Sequence, residues 1–150
     1  MNEDEVFEAM RARAATAQWP APASLESVEE AEKVIRHPIP PLLRRLYLEV
    51  ANGGFGPGFG VMGVRGGRPG PLFTDIADVY QEGPDPTGVV PDGLVLLYDW
   101  GCAIWSVVDF RDQAGPMWEA DNGQLFNENM NLTEWLSRSL DGTLPRLTQQ

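Results

Sequence analysis

The sequence predicts an α+β fold with a central antiparallel sheet of about four to six strands, packed with N-terminal helices and a C-terminal helix. Three observations support this prediction. Apolar residues recur at helical spacing over the first 50 residues, and short apolar runs separated by turn residues occupy residues 94–126. A final helical pattern follows the strands. Helices in one run and strands in another are typical of the α+β class.

Two helices are predicted before Pro38. The first covers residues 3–17, where acids at its beginning and arginines near its end suit the helix dipole. The second ends at about Arg36, because the residue before a proline is forced out of the helical conformation. Ser24 and Ser27 are rival N-caps for this second helix, and Ser27 has capping-box spacing to a glutamate.

A third helix is predicted to begin at Pro40-Pro41, since proline is well tolerated in a first helical turn. It ends at Asn52-Gly53-Gly54, because glycine readily adopts the left-handed conformation that closes a helix. Residues 53–71 are rich in glycine and are interpreted as turns and bends, with Phe59–Val64 as one irregular strand. No phosphate-loop pattern occurs there, so phosphate binding is not predicted.

The sheet is predicted to begin at residue 94, after a short helix or turn within residues 72–82. Asp99-Trp100-Gly101 is interpreted as a hairpin tip, and Asn122-Gly123 is a strong signal for a tight hairpin turn. The predicted strands are Leu94–Tyr98, Ala103–Phe110, Met117–Ala120 and Gln124–Phe126.

The chain is predicted to be a single domain, residues 1–150, whose last regular element is a helix. This helix covers about residues 132–140, with Asn131 as its N-cap and Gly142 as its terminator. Residues 143–150 are predicted to form a loose tail.

The negative charge is concentrated in one stretch of the sequence. The formal net charge is −11, and residues 74–128 hold eleven acids and one base, Arg111, for a net charge of −10. An acidic face repels nucleic acid and anionic membrane, whereas it attracts a basic protein and accelerates their encounter. The charge therefore predicts no nucleic-acid and no membrane partner, and it is compatible with a protein partner. On charge alone, solubility is the favoured explanation.

Cysteine usage and the first residues predict a cytoplasmic protein. Cys102 is the only cysteine, so no internal disulfide forms, which fits a reducing compartment. The acidic residues 1–5 do not resemble a signal peptide, and no apolar run is long enough to span a membrane.

No constellation of residues predicts catalysis, a cofactor or a metal. His37 is the only histidine, and its place at a helix end favours a role as a helix C-terminal cation. Cys102 has no second cysteine and no histidine near it in sequence, so an inert cysteine buried in the core is the favoured interpretation. One alternative remains open: Asp109 and Glu119, on neighbouring predicted strands, are a carboxylate pair of the kind that small hydrolases use.

Three separated segments match one pattern in order and spacing. The first runs from Glu32 to Gly54, the second from Pro91 to Cys102 and includes Asp99-Trp100-Gly101-Cys102, and the third is Leu132-Thr133-Glu134-Trp135-Leu136. Together they cover about 110 residues and resemble the SUKH superfamily, which includes cell-wall-assembly regulators and bacterial immunity proteins. The chain departs from the family pattern at Ala103, where a second glycine after the cysteine is common.

The resemblance implies an α+β domain without catalytic residues, and many family members look like antidotes that bind and block a toxin, often a nuclease. An acidic antidote suits a basic nuclease, because its carboxylates occupy the site meant for phosphates. The alternative class is a regulatory or scaffold module without a toxin partner. The oligomeric state is left open.

The candidate partner-binding residues are acids of the negative stretch and one aromatic residue. Trp100 is included because an aromatic side chain on an acidic tip suits an interface anchor, although it is equally expected to fold back onto the sheet. The full set is Asp75, Asp78, Glu82, Asp85, Asp99 and Trp100.

Overall fold

The computed structural model describes residues 1–83 and 91–148, and within them it confirms the α+β prediction. Its helices flank one four-stranded antiparallel sheet, and none of the described helices is long and apolar enough to cross a membrane. In chain order the elements are α1 (Glu3–Ala14), α2 (Leu25–Ile35), α3 (Pro41–Glu49), α4 (Ile76–Glu82), β1 (Leu94–Gly101), β2 (Ile104–Asp109), β3 (Pro116–Asp121), β4 (Gln124–Asn131), α5 (Leu132–Asp141) and α6 (Pro145–Thr148).

Side-chain caps decide where the helices begin. Asn2 accepts a hydrogen bond from the Glu5 amide at 2.9 Å, and the Glu5 carboxylate accepts one from the Asn2 amide, so α1 has a complete capping box. Ser24, and not its rival Ser27, caps α2, because the Ser24 hydroxyl accepts the Ser27 amide proton at 3.1 Å. α1 ends at Ala14, three residues earlier than the sequence predicts.

The sheet is a meander in the order β1-β2-β3-β4, in which each strand pairs with its neighbour in sequence. The β1–β2 turn lies at Cys102 and Ala103, whose φ values are 55° and 61°, and the β3–β4 turn at Asn122-Gly123 also has positive φ at both residues. Positive φ at both central residues is typical of type I′ hairpins. The predicted tip at Asp99-Trp100-Gly101 is therefore wrong, since these residues are the last of β1. The core position expected for Cys102 is also wrong, because this residue is exposed in the turn between β1 and β2.

The strand register defines what each face of the sheet presents. Ser106 on β2 pairs with Tyr98 on β1 and with Glu119 on β3, and Glu119 pairs in turn with Phe126 on β4. Residues opposite each other in a ladder share a face. Tyr98, Ser106, Glu119 and Phe126 thus form one cross-strand row.

The glycine-rich segment is an ordered loop without the predicted strand at Phe59–Val64. Asn52 is 3% exposed, and its side-chain oxygen accepts the Val64 amide proton at 2.8 Å. The Met62 amide donates to the Leu97 carbonyl of β1 at 3.1 Å. A Cβ at Gly60, whose φ is 93°, would lie 2.0 Å from the Gly54 carbonyl oxygen, so the loop turns too tightly here for any other residue.

The C-terminal end is bound to the sheet, which differs from the loose tail expected for residues 143–150. Leu144 is 2% exposed, α6 follows it, and Arg146 of α6 pairs with Glu119 of β3. An apolar contact and an ion pair therefore hold this segment in place, whereas residues 149–150 lie outside the described part of the chain.

Candidate functional site

A groove lies where β3 and β4 meet the C-terminal segment and α5. Its volume is about 230 Å³, and it combines aromatic walls with charged groups. We call it the β4 groove, and its defining residues are Trp100, Glu119, Phe126, Glu128, Trp135 and Arg146.

Trp100 is fixed in place by two contacts with the sheet. Its indole N–H donates to the Ser106 hydroxyl at 2.8 Å, and its ring lies edge-on to Tyr98 with 4.8 Å between centroids. The side chain therefore folds back onto the sheet, which is one of the two outcomes that the sequence left open. Part of the indole still lines the β4 groove, so this position does not exclude contact with a partner.

Arg146 closes one end of the groove through a two-pronged ion pair. Its Nε and Nη2 atoms donate to the two carboxylate oxygens of Glu119 at 2.7 and 2.9 Å, and Nη2 lies 3.5 Å from Asp121. The hydrogen bonds that Arg146 donates to Glu119 are the main cause that raises the pKa of Arg146. The side chains of Glu119 and Arg146 are 18% and 27% exposed, so this pair is shielded more than a surface salt bridge.

Glu128 has a perturbed carboxyl group that the sequence analysis did not single out. Burial, followed by the negative charge of Glu119, raises its pKa to about 7, and Arg146 opposes this shift. Within the described residues, no hydrogen bond or ion pair reaches its carboxyl group. Protonated and ionised forms of Glu128 are therefore both populated near neutral pH.

An exposed aromatic residue of the glycine-rich loop lies near the groove. Phe59 is 88% exposed, and its backbone N–H donates to the Tyr98 hydroxyl. Burial raises the pKa of Tyr98, and this hydrogen bond only partly offsets the increase. A Cβ at Gly58 would lie only 2.2 Å from the same hydroxyl oxygen. The loop is thus in tight contact with Tyr98, whose ring also touches Trp100. Phe59, Tyr98, Trp100 and the 47%-exposed Phe126 together are called the aromatic surface.

The predicted acidic residues of the α4 region have local structural roles. Asp75 is the N-cap of α4 and accepts the Asp78 amide proton at 2.8 Å. Asp78 in turn accepts the Thr74 amide proton at 2.9 Å. Glu82 is exposed at the end of α4, and Asp85 lies outside the described residues.

Asp99 lies on β1, away from the α4 acids along the chain. Its carboxylate accepts the Gly101 amide proton at 2.7 Å. No hydrogen bond or ion pair between described residues joins Asp99 or Trp100 to Asp75, Asp78 or Glu82. The candidate residues thus belong to two separate elements.

Several carboxylates of the negative stretch face cations from outside it. The carboxylate oxygens of Asp92 lie 4.0 Å from Arg36 Nη2 and 3.9 Å from His37 Nε2. The hydrogen bond that Tyr80 donates to Asp92 is the main cause that lowers the pKa of Asp92. Arg146 likewise neutralises part of the charge near β3. Part of the negative charge of residues 74–128 is therefore paired with cations that lie outside this stretch of the sequence.

The carboxylate pair proposed for hydrolysis does not come together. Glu119 pairs with Ser106, and Asp109 is three residues further along β2, so the two carboxylates point to opposite faces of the sheet. Each already has an arginine partner. Burial is the largest single influence on the pKa of Asp109 and raises it, but the hydrogen bonds and the charge of Arg111 together lower that pKa below its usual value. In the described ranges, no group of three or more metal-ligating side chains occurs.

Sequence reasoning missed Phe126, Glu128 and Arg146 as site residues. The position of Glu128 depends on a bulge in β4, where the register shifts and Asn129 has a φ of 55°. The polar run at residues 127–129 was the available signal, because asparagine tolerates the left-handed conformation. Nothing in the sequence places Arg146 against β3.

Comparison with known families and proteins provides no relative. No family model matches the chain, and no curated protein matches it with significant similarity. The functional interpretation therefore depends on the chain's own residues and on the segment pattern described above.

Proposed function

We propose that this chain is a non-catalytic, cytoplasmic protein-binding domain of the immunity type, which binds and neutralises a toxin with a basic, nuclease-type domain. The observation that carries the proposal is the aromatic surface beside the carboxylates of the β4 groove. Interfaces obtain most of their affinity from a few aromatic or arginine residues, surrounded by polar groups that set orientation.

The exposed aromatic residues are suited to this role because their backbones are held in place. Phe59 is carried by the tight loop bound to Tyr98, and Phe126 lies in a strand paired with β3. A backbone that is already held in place adds no cost of loop ordering when its side chain is buried against a partner. The aromatic surface therefore has features of a preorganised binding site.

The carboxylates supply the preference for a basic partner. Asp99, Glu119, Asp121 and Glu128 lie on the strands that carry the aromatic surface, and Arg146 is the cation beside the last three. Glu82 and the other α4 acids add a long-range attraction that is screened by salt. The resemblance to the SUKH pattern and the exposed, unpaired Cys102 agree with a cytoplasmic antidote.

The experiment is capture of the cross-linked partner from native cells, followed by assay of the purified partner for nuclease activity with and without the chain. We expect stoichiometric inhibition and an affinity that falls as salt rises. Phe59→Ala and Phe126→Ala should each weaken binding by about tenfold or more. Leu72→Ala, which removes an 81%-exposed residue outside the aromatic surface, is the matched control and should change affinity by less than about twofold.

Two results would contradict the proposal in different ways. Equal binding by wild type, Phe59→Ala and Phe126→Ala would exclude the aromatic surface. A captured partner with no toxic activity would exclude the immunity role and favour a regulatory or scaffold module.

A further inference from the structure

We propose that the β4 groove is a binding site for the guanidinium group of a partner's arginine, with Glu128 as its counter-charge and Trp100 and Phe126 as its aromatic walls. This inference rests on the proposed function, because it names the side chain by which the partner is recognised. It concerns the groove alone and is testable without the partner.

The dimensions of the groove suit one long side chain. Its volume of about 230 Å³ is smaller than the pockets of ~300–1,000 Å³ that accept drug-sized ligands. Trp135 and Leu144, both almost fully buried, contribute to its lining. An extended arginine stem has apolar contacts available there, while its head reaches the carboxylates.

The charges in the groove leave one negative group without a partner. Glu119 and Asp121 share the guanidinium of Arg146, whereas the carboxyl of Glu128 has no ion pair or hydrogen bond within the described residues. The raised pKa of Glu128 reflects this unfavourable burial of charge. A cation next to Glu128 would relieve it, and an anion would be repelled by all three carboxylates.

The aromatic walls favour arginine over lysine. A guanidinium is planar, stacks on aromatic rings and binds a carboxylate with two parallel hydrogen bonds. Elsewhere this chain already places an arginine over an aromatic ring and beside a carboxylate. The Arg45 guanidinium lies 3.6 Å above the centre of the Phe7 ring while its Nη1 donates to Asp4 at 3.0 Å.

Binding should depend on pH through Glu128. The charged groups that face it are Glu119 on β3 and Arg146 on α6, and β4 carries no other charged residue. Only the ionised carboxylate attracts a cation, so affinity rises with pH through about 7. For a group with this pKa, the ionised fraction grows about tenfold between pH 6 and pH 8, and affinity should follow.

The experiment is an NMR titration of the whole chain with the peptide acetyl-Gly-Arg-Gly-amide. The matched probe contains citrulline, which is nearly isosteric with arginine but uncharged. We expect the arginine peptide to shift the Trp100 indole N–H and Glu128 carboxyl resonances in a saturable manner, with about tenfold tighter binding at pH 8 than at pH 6. Glu128→Gln should weaken binding at least tenfold, and Glu29→Gln, an exposed acid on α2, should not change it.

Equal shifts from the citrulline peptide, or no saturable shift from the arginine peptide, would overturn the inference. The wild-type comparison needs no substitution, so it holds even if a variant misfolds. If the chain neutralises a toxin and Glu128→Gln does not change its affinity for that toxin, the arginine site is refuted and the proposed function stands. Arginine-peptide binding without any toxin partner would refute the proposed function and leave the site standing.

Discussion

Ala103 adopts a backbone conformation that alanine normally avoids. Its φ is 61°, in the left-handed region, and Cys102 before it has a φ of 55°. The left-handed conformation is unfavourable for a residue with a Cβ by about 1–2 kcal/mol, whereas glycine adopts it freely. Two hydrogen bonds from Asn122 to this turn hold it in place, one to the Ala103 carbonyl at 3.0 Å and one to the Cys102 carbonyl at 3.3 Å.

We therefore expect Ala103→Gly to stabilise the protein. The relief of strain exceeds the extra freedom of glycine in the unfolded chain, so the free energy of unfolding should rise by about 0.5–1 kcal/mol in urea denaturation. Ala114→Gly is the matched control, because Ala114 is also exposed in a turn but has no positive φ, and there stability should fall slightly. A loss of stability in Ala103→Gly would show that the backbone of Ala103 is not strained.

Glu128 should make stability depend on pH in the opposite sense to an ordinary salt-bridged acid. Its pKa is about 7 in the folded state and near 4.5 when unfolded, so the folded state binds the proton more tightly. Its contribution is fully present below pH 4.5 and is lost as pH rises through about 7. The loss should be of the order of 1–3 kcal/mol, allowing for partial exposure.

The measurement is urea denaturation of wild type and Glu128→Gln between pH 4.5 and pH 8. Glutamine resembles the protonated acid and does not titrate, so the variant should be more stable than wild type at pH 8 and about equal at pH 4.5. Parallel curves for the two proteins would show that the carboxyl is not perturbed.

Among elements, α6 is joined to the sheet by the ion pair of Arg146 with Glu119. Arg146→Ala should release α6 from β3 and speed amide exchange in residues 143–148. The free energy of unfolding should fall by about 1–3 kcal/mol, because Glu119 is then left shielded from water without its cation. Arg146→Lys should recover only part of this, since lysine lacks the two-pronged geometry. In the control Arg138→Ala, which removes an exposed i,i+4 pair with Glu134, the loss should be about 0.5 kcal/mol or less. Similar losses in both alanine variants would contradict the anchoring role of Arg146.

Elements with a local signal were predictable, and those held by distant contacts were not. Residues 132–140 combine an N-cap, an apolar stripe and a terminating glycine, and α5 begins and ends within one residue of that prediction. Asn122-Gly123 likewise marks its turn from two residues alone. The glycine-rich loop instead depends on Asn52, which bonds to the Val64 amide twelve residues away.

The β4 groove could be predicted only in part for the same reason. Trp100 was singled out from its neighbours in sequence, but its hydrogen bond to Ser106 depends on the register of β1 and β2. Glu128 has a perturbed pKa only because β3 and α6 bring Glu119 and Arg146 to it. A single strand sequence does not contain that information.

At the scale of the whole molecule, charge follows spatial neighbours and not sequence segments. The net charge of −10 over residues 74–128 is a property of the chain, whereas Arg36, His37 and Arg146 approach that segment from elsewhere in the fold. Salt should therefore slow the encounter with a partner more than it weakens the contacts made in the β4 groove, because the charges of the groove are partly shielded.

The meander also determines the order in which the molecule can fold. Each strand pairs with the next one along the chain through short connections, so the sheet needs only local contacts and closes quickly. The helical layer is different, because α1 packs against α3 and α5, and α5 lies more than 100 residues after α1. During synthesis the contacts of α1 with α5 can form only after α5 has left the ribosome, so α1 should reach its full protection from exchange after the strands do.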